Sequence, residues 1–328
     1  MSDKLKIIGL QKWVFLVSVV LLLLKLMAWV YTGSVAILTD ALESIVNVVA
    51  GLMGWYSLSL SNKPKDTEHP YGHGKVEFIT SALEGALIMV AALFIVFEAI
   101  QHLMHPQMIR SLDFGIWVLL STSLINYALG WYCSKIGRQT QSVVLIGSGA
   151  HLKSDTYSTL GIVLGVILVK LTNAVWIDAG VAILFSVLIF KTGYTIIRQS
   201  VSGIMDETDM LVVDQIVKVL NEHRSKEWID IHNVRVINYA GFYHIDCHLT
   251  VPYYINVNEA HQQMDKLTDL LHAHFNGQVE FFVHIDGCVN LQCKLCQVQV
   301  CPQRQADFQS AVLWTRQNVL DNKKHGLS

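Results

Sequence analysis

Charge is what this sequence has least of. Only 15% of its 328 residues are Asp, Glu, Lys or Arg and 52% are hydrophobic, whereas an average soluble domain carries about 25% charged residues. Neither sign dominates: 24 basic against 26 acidic residues leave a net charge of −2, which argues against a nucleic-acid partner. A Walker-type phosphate loop is missing, which disfavours a machine driven directly by nucleotide. Cysteine is sparse as well. Five of the six fall between 247 and 301, in a part expected to face a reducing compartment, so metal ligation is favoured over disulfides.

What is present in quantity is apolar sequence in long runs. Six stretches, about 13–31, 35–60, 78–103, 114–133, 144–170 and 175–197, each approach or exceed the roughly 20 residues that cross a hydrocarbon core. The first is too long for a signal-peptide core and lacks a small-residue cleavage pattern. Lys4, Lys6 and Lys12 precede it; Lys63, Lys65 and Lys75 fill the second loop, and Lys135 and Arg138 the fourth. The first and fifth loops have no basic residue and the third only Arg110. The positive-inside rule therefore puts both termini in the cytoplasm of an inner or plasma membrane protein. The organisation expected is a six-span domain over 1–206, a soluble domain over 207–287, and a Cys-rich segment with a C-terminal helix over 288–328.

Ionisable groups at membrane depth are costly and need a partner or a role. On the second span Glu43 and Asn47 stand at i and i+4 with Asp40 one turn earlier, and on the fifth His151 and Asp155 repeat the spacing. Facing helices would bring together an imidazole, two carboxylates and an amide, a donor set that can replace the water shell of a dication. Because such ligands bind metal only when deprotonated, protons would compete with it. Ordinary interhelical hydrogen bonding is the plainer reading of one such pair; two matched pairs weaken it. Lys25 and Lys191 are expected to snorkel or pair locally, Asp178 to cap the last span, and Gly161 and Gly165 to form a close-packing face.

The second loop holds Asp66, His69 and His73 among Pro70, Gly72 and Gly74, spaced for convergence on one metal although loop histidines are usually just solvated. From 208 on, the apolar pattern reads helix, two strands about a Gly241 turn, helix and strand, an αββαβ order suited to a two-layer α+β domain. His244, Asp246 and His248 share one face of the second strand, and His232, His261, His284 and Asp286 lie within reach of further metal sites. Cys288, Cys293, Cys296 and Cys301 follow as C-x4-C-x2-C-x4-C, a ligand set for structural zinc or an iron–sulfur cluster. An amphipathic tail over about 305–322 includes Phe308, Val312, Leu313 and Leu320.

In this order the elements resemble the cation diffusion facilitator family over residues 8–287. The resemblance rests on the Asp40-to-Asn47 stretch, His69-Pro70-Tyr71-Gly72-His73-Gly74-Lys75, His151-to-Asp155 and Gly203-Ile204-Met205-Asp206-Glu207. It implies a homodimeric antiporter in a lipid bilayer, not an enzyme, that exports divalent metal from the cytoplasm against protons. Its transport site falls on Glu43, Asn47, His151 and Asp155, and its loop site on Asp66, His69 and His73. Further sites fall on His232, His248, His261, His284 and Asp286 of a ferredoxin-like domain, with Lys75 and Asp206 as a charge interlock of the dimer. Zinc-transporting members usually carry Asp or His and then Asp where this chain has Glu43 and Asn47. Zinc is the first expectation, with iron, manganese and cobalt as alternatives. The tetracysteine segment is an addition to the family pattern. Two other classes compete: a membrane-anchored metal sensor that moves nothing, and an oxidoreductase built on an iron–sulfur cluster.

Overall fold

The computed structural model describes every residue except 1, 33–34, 105–111, 173–175, 240 and 327–328. For 2–6, 31–32, 35–39, 42–43, 98, 102–103, 112–116, 162, 165–172, 176–179 and 181–182 it describes the backbone alone. The chain divides into two compact units, Met1–Ile204 and Met205–Ser328.

The first unit is six helices: α1 Ser2–Thr32, α2 Val35–Ser61, α3 Val76–Met104, α4 Leu112–Thr140, α5 Val143–Thr172 and α6 Trp176–Ile204. At 1.5 Å per residue each is about 40–45 Å long. Among the described residues, Ile7–Val30, Ser44–Ser61 and Val76–Gln101 are long and apolar enough to cross a membrane. The unit is inverted relative to a soluble bundle. Val30, Trp117, Leu124 and Leu184 are each more than 60% exposed on its outside, while Gln11, Lys25, Asp40, Asn47, Glu84 and His151 are buried inside. In water that arrangement would be doubly unfavourable; against lipid tails the outer apolar residues are at home and the polar ones pair inside.

Helices approach closely where side chains vanish. A Cβ on Gly85 would stand 2.9 Å from the carbonyl oxygen of Gly193, and one on Gly193 would stand 2.8 Å from that of Gly85, joining α3 to α6. Gly130 and Gly149 make the same reciprocal contact between α4 and α5, at 2.9 and 2.7 Å. Gly161 packs on the Phe185 ring; Gly165 and Asp178 lie outside the described side chains.

The second unit is ordered α7 Met210–Glu222, β1 Asp230–Tyr239, β2 Phe242–Val251, α8 Val257–His274 and β3 Val279–Gly287. Asp209 caps α7 through the Leu211 amide, and Asn256 with Glu259 forms a capping box on α8, which satisfies orphan amides at both helix starts. The sheet runs β1-β2-β3, with β1 antiparallel and β3 parallel to β2. Strand alternation turns Ile231, Ile245, Cys247 and Leu249 into a core with Ile216, Leu220, Leu267 and Leu271. The helical residues recur at i and i+4, the spacing that keeps them on one face.

Beyond β3 the expected C-terminal helix is confined to α9, Arg316–Leu320. The rest of 305–322 is irregular because its anchoring comes from single points. Trp314 is 1% exposed in the core, lies 4.0 Å under the Arg224 guanidinium, and bonds through its carbonyl to Asn221 at 2.8 Å. Leu313 stays 71% exposed, so no continuous apolar stripe asks for a helix.

Candidate metal centres

Three groups of ligand-bearing residues lie where elements meet. In the first unit, the Asn47 amide of α2 donates to the Asp155 carboxylate of α5. His151, one turn before Asp155, is 4% exposed, and neither ring nitrogen has a hydrogen-bond partner among the described residues. The Asn47 carbonyl oxygen is likewise unpartnered. Groups left unsatisfied at such depth cost about 1–3 kcal/mol each unless something arrives to bind them. Glu43 occupies α2 one turn before Asn47, and its side chain lies outside those described.

Asp40 is occupied otherwise. Lys25 of α1 reaches it at 2.7 Å and the Ser44 hydroxyl at 2.8 Å, while Thr159 donates to its other oxygen at 3.3 Å. Both charges are 3% exposed, so Lys25 pairs inside the bundle and does not snorkel.

A second polar chain, which the sequence reading passed over, threads the same bundle. Gln11 donates to the Ser148 hydroxyl at 2.9 Å, and Ser148 donates to Glu84 at 3.0 Å. Glu77 accepts from Ser61 at 2.8 Å and from Ser142 at 2.7 Å. Ser148 precedes His151 by one turn of α5. The signal was available: Glu84 is a lone carboxylate seven residues after Glu77 in an apolar run.

The loop trio is built by an Asp-led turn. Asp66 accepts from the amides of Glu68 at 3.0 Å and His69 at 2.6 Å, and Gly72, at φ +90°, closes the turn by donating to His69 O at 2.9 Å. The Asp66 carboxylate then meets His69 Nδ1 at 3.0 Å and His73 Nε2 at 3.4 Å, with the two rings 4.3 Å apart. The His69 amide leads in holding the Asp66 carboxyl below its ordinary value.

The third group crosses the sheet. His232 of β1 pairs in register with His248 of β2, which pairs with His284 of β3, and the ring centroids stand 5.1 and 4.6 Å apart. A bulge follows His232, with Asn233 at φ +52°; such an insertion bends the strand and re-aims its side chains. His248 Nδ1 lies 3.0 Å and His232 Nε2 3.6 Å from one oxygen of Asp286. The other oxygen meets Lys324 Nζ at 3.2 Å and His284 Nε2 at 3.9 Å. Asp230, fully buried, sits 3.4 Å from His232 Nδ1 and 2.5 Å from His325 Nδ1. Burial alone would raise both carboxyls. The nearby His232 ring and the hydrogen bonds from His325 hold Asp230 below its usual value, and the bonds from His248 and Lys324 do so for Asp286.

Among the described residues two trios bring three ligand atoms within 4.8 Å of one another, Asp66-His69-His73 and His232-His248-Asp286. Two imidazoles and a carboxylate suit a zinc- or iron-class dication in each. His261 stands apart on α8, 3.7 Å from Asp265 of its own helix, and His244 faces Asp246 at 3.1 Å. The thiols of Cys288, Cys293, Cys296 and Cys301 line one small cavity. Burial, with the neighbouring thiols adding to it, pushes Cys288 and Cys296 up. Lys75 belongs to the first unit and Asp206 to the second.

Comparison with known proteins covers both units. The family model described as the cation efflux transmembrane domain matches residues 12–205, and that of the cation efflux protein, cytoplasmic domain, matches 209–288. The chain is 27% identical over 279 residues to the cation-efflux pump FieF of Pectobacterium atrosepticum, covering 82% of this chain and 89% of that one. It is 36% identical over 185 residues to an uncharacterized transporter, sll1263, of Synechocystis, covering 56% of this chain and 60% of that one. It is 31% identical over 198 residues to the magnetosome protein MamM of Magnetospirillum gryphiswaldense, covering 60% and 62%. The chain thus matches less than two thirds of the length of the last two relatives.

Proposed function

The chain belongs to the cation diffusion facilitator family, and from that premise we propose that it exports a divalent transition-metal cation from the cytoplasm in exchange for protons. The observation that carries the reading is the buried junction of α2 and α5: Asn47 hydrogen-bonded to Asp155, with an unpartnered His151 one turn away. In this reading Glu43, Asn47, His151 and Asp155 hold the ion, and the six helices of the first unit all span the bilayer with both termini inside. The anonymous polar interior then has a purpose, because a dehydrated dication can enter a low-dielectric bundle only if carboxylates neutralise it and donors replace its water.

Protons couple by competition for those donors. A protonated imidazole or carboxylic acid cannot ligate, so exposure to the more acidic side releases metal, and exposure to the cytoplasm reloads it. Asn47 does not titrate; its amide fixes Asp155 through the hydrogen bond and offers its carbonyl oxygen. Zinc is the first choice of cargo, because His151 is a borderline ligand and the sites of the second unit are histidine-rich, with iron, manganese and cobalt as alternatives. The second unit is read as a ferredoxin-like cytoplasmic domain that joins two copies and carries the sheet-spanning histidine centre as a resident regulatory site. Lys75 and Asp206 are read as the charge interlock of that dimer.

Flux of Zn²⁺, Fe²⁺, Mn²⁺ and Co²⁺ into proteoliposomes under an imposed pH gradient tests the reading. A gradient-dependent flux lost in Asp155→Ala supports it. Binding without movement of any metal in folded protein sinks it and leaves a sensor.

A further inference from the structure

We propose that Cys288, Cys293, Cys296 and Cys301 form a tetrathiolate site for a single dication of the zinc class, separate from the cargo path and from both trios. Cys288 leaves the end of β3 with its amide on Val251 O at 2.9 Å. Cys293 and Cys296 sit at the end of a 3-10 turn, Asn290–Leu295, as a C-x2-C knuckle, and Cys301 follows on the return. All four thiols line one cavity of about 20 Å³ together with Tyr253 and Arg304. The second observation is what points at the sulfurs. The Gln305 amide donates to Cys293 Sγ at 3.5 Å. Amide donors of this kind stabilise and orient thiolate ligands around a metal.

Arg304 fixes the loop. Its guanidinium donates to the carbonyls of Cys293 at 3.1 Å, Cys296 at 3.2 Å and Ala306 at 3.2 Å. The guanidinium charge still reaches Cys296, and a dication would balance the remaining thiolate charge. No three thiols lie within 4.8 Å of one another, whereas sulfurs about 2.3 Å from a tetrahedral zinc stand about 3.8 Å apart. Loading therefore draws loop 288–301 inward. The spacing of the first three cysteines is also used by cluster proteins, so iron content with inorganic sulfide separates the two outcomes. Only the first cysteine falls within the matched cytoplasmic-domain model, which ends at 288.

The test is Co²⁺ titration of the full-length chain in detergent. We expect a thiolate-to-cobalt charge-transfer band that saturates at one equivalent, is displaced by Zn²⁺, survives His232→Ala/His248→Ala, and vanishes in Cys293→Ser/Cys296→Ser. Since those serines could unfold the tail, alkylation of the wild type supplies a second reading, with Zn²⁺ protecting four of the six cysteines. No band, no protection, or iron with inorganic sulfide in protein purified without oxygen overturns the proposal.

A different observation concerns the far end of the same tail, and it rests on the reading of His232, His248 and Asp286 as a metal centre. Asp286 turns one oxygen to the two histidines and the other to Lys324, whose ammonium also donates to Gly287 O at 3.0 Å. His325 docks beside it on Asp230, with its amide at 2.8 Å. The geometry points to Lys324 as a tethered competitor: an arriving dication meets a fixed positive charge on the carboxylate it needs, so metal and tail occupy the centre alternately. In Zn²⁺ titrations of full-length protein, Lys324→Gln should bind about tenfold more tightly, and His232→Ala should remove that binding phase. Equal affinity in Lys324→Gln overturns the competitor role alone, while a wild type with no phase sensitive to His232→Ala overturns the metal centre and the competitor together.

Discussion

Asp230 and Lys25 are the two residues whose roles depend most on what surrounds them. Asp230 is not among the proposed ligands, yet its carboxylate lies 3.4 Å from Nδ1 of His232, the ring nitrogen opposite the one that faces Asp286. Partners of that kind are worth about 10–100-fold in metal affinity, and Asp230→Asn should weaken the sheet-spanning centre by that factor in Zn²⁺ titrations. It should also change the acid limb of stability. A carboxylate held below its unfolded value of about 3.9 stabilises the fold above that pH, and the contribution disappears as pH falls through the lowered folded value. The urea midpoint of the second unit should therefore drop on acidification below about pH 4, and less steeply in Asp230→Asn. Lys25 is the counterpart inside the bundle. Lys25→Ala strands the Asp40 charge and should cost about 3–5 kcal/mol, whereas Lys25→Met with Asp40→Leu should recover most of it. A thermal-stability cycle on detergent-solubilised protein measures both.

At the scale of elements, periodicity was the legible part. The 3.6-residue and 2-residue patterns marked α7, β1, β2, α8 and β3 in their order, because each buries one face against a single core. The loop ligands were legible as a cluster, because a short Gly/Pro-framed turn brings Asp66, His69 and His73 together. What the sequence could not display was partnership across elements. Nothing local tells Lys25 to choose Asp40, Glu84 to bond Ser148, or Lys324 to return to Asp286 from 38 residues away. The tail's helix is shorter than expected, confined to α9, because the tail is held at separate points such as Trp314, Val319 and the Arg316–Asp214 pair, not along one apolar face. Close helix approach was also hidden, since Gly85–Gly193 and Gly130–Gly149 are contacts between helices and not motifs within one. Gly149→Ala would put a methyl 2.7 Å from the Gly130 carbonyl. Overpacking of that kind costs about 1–3 kcal/mol. Gly9→Ala, which meets nothing within 4 Å, is the matched control, and the melting temperature should fall only in the former.

For the molecule as a whole, the two units divide the labour by solvent. The first buries its polar groups under an apolar exterior, and in the proposed reading its interior receives the ion at Asn47, His151 and Asp155. The second is built the ordinary way, with an apolar core beneath a sheet whose polar face displays histidines in register. Alterations in the second unit should shift the metal concentration at which transport starts and leave some flux; alterations of the α2–α5 junction should abolish it. The measurement that separates these most directly is pH-gradient-driven metal uptake by proteoliposomes carrying wild type, His232→Ala/His248→Ala or Asp155→Ala, each checked for folding by its elution profile. Flux that is reduced in the histidine variant and absent in Asp155→Ala is the result expected. Undiminished gradient-driven flux in Asp155→Ala would contradict the assignment of the buried junction as the ion's path.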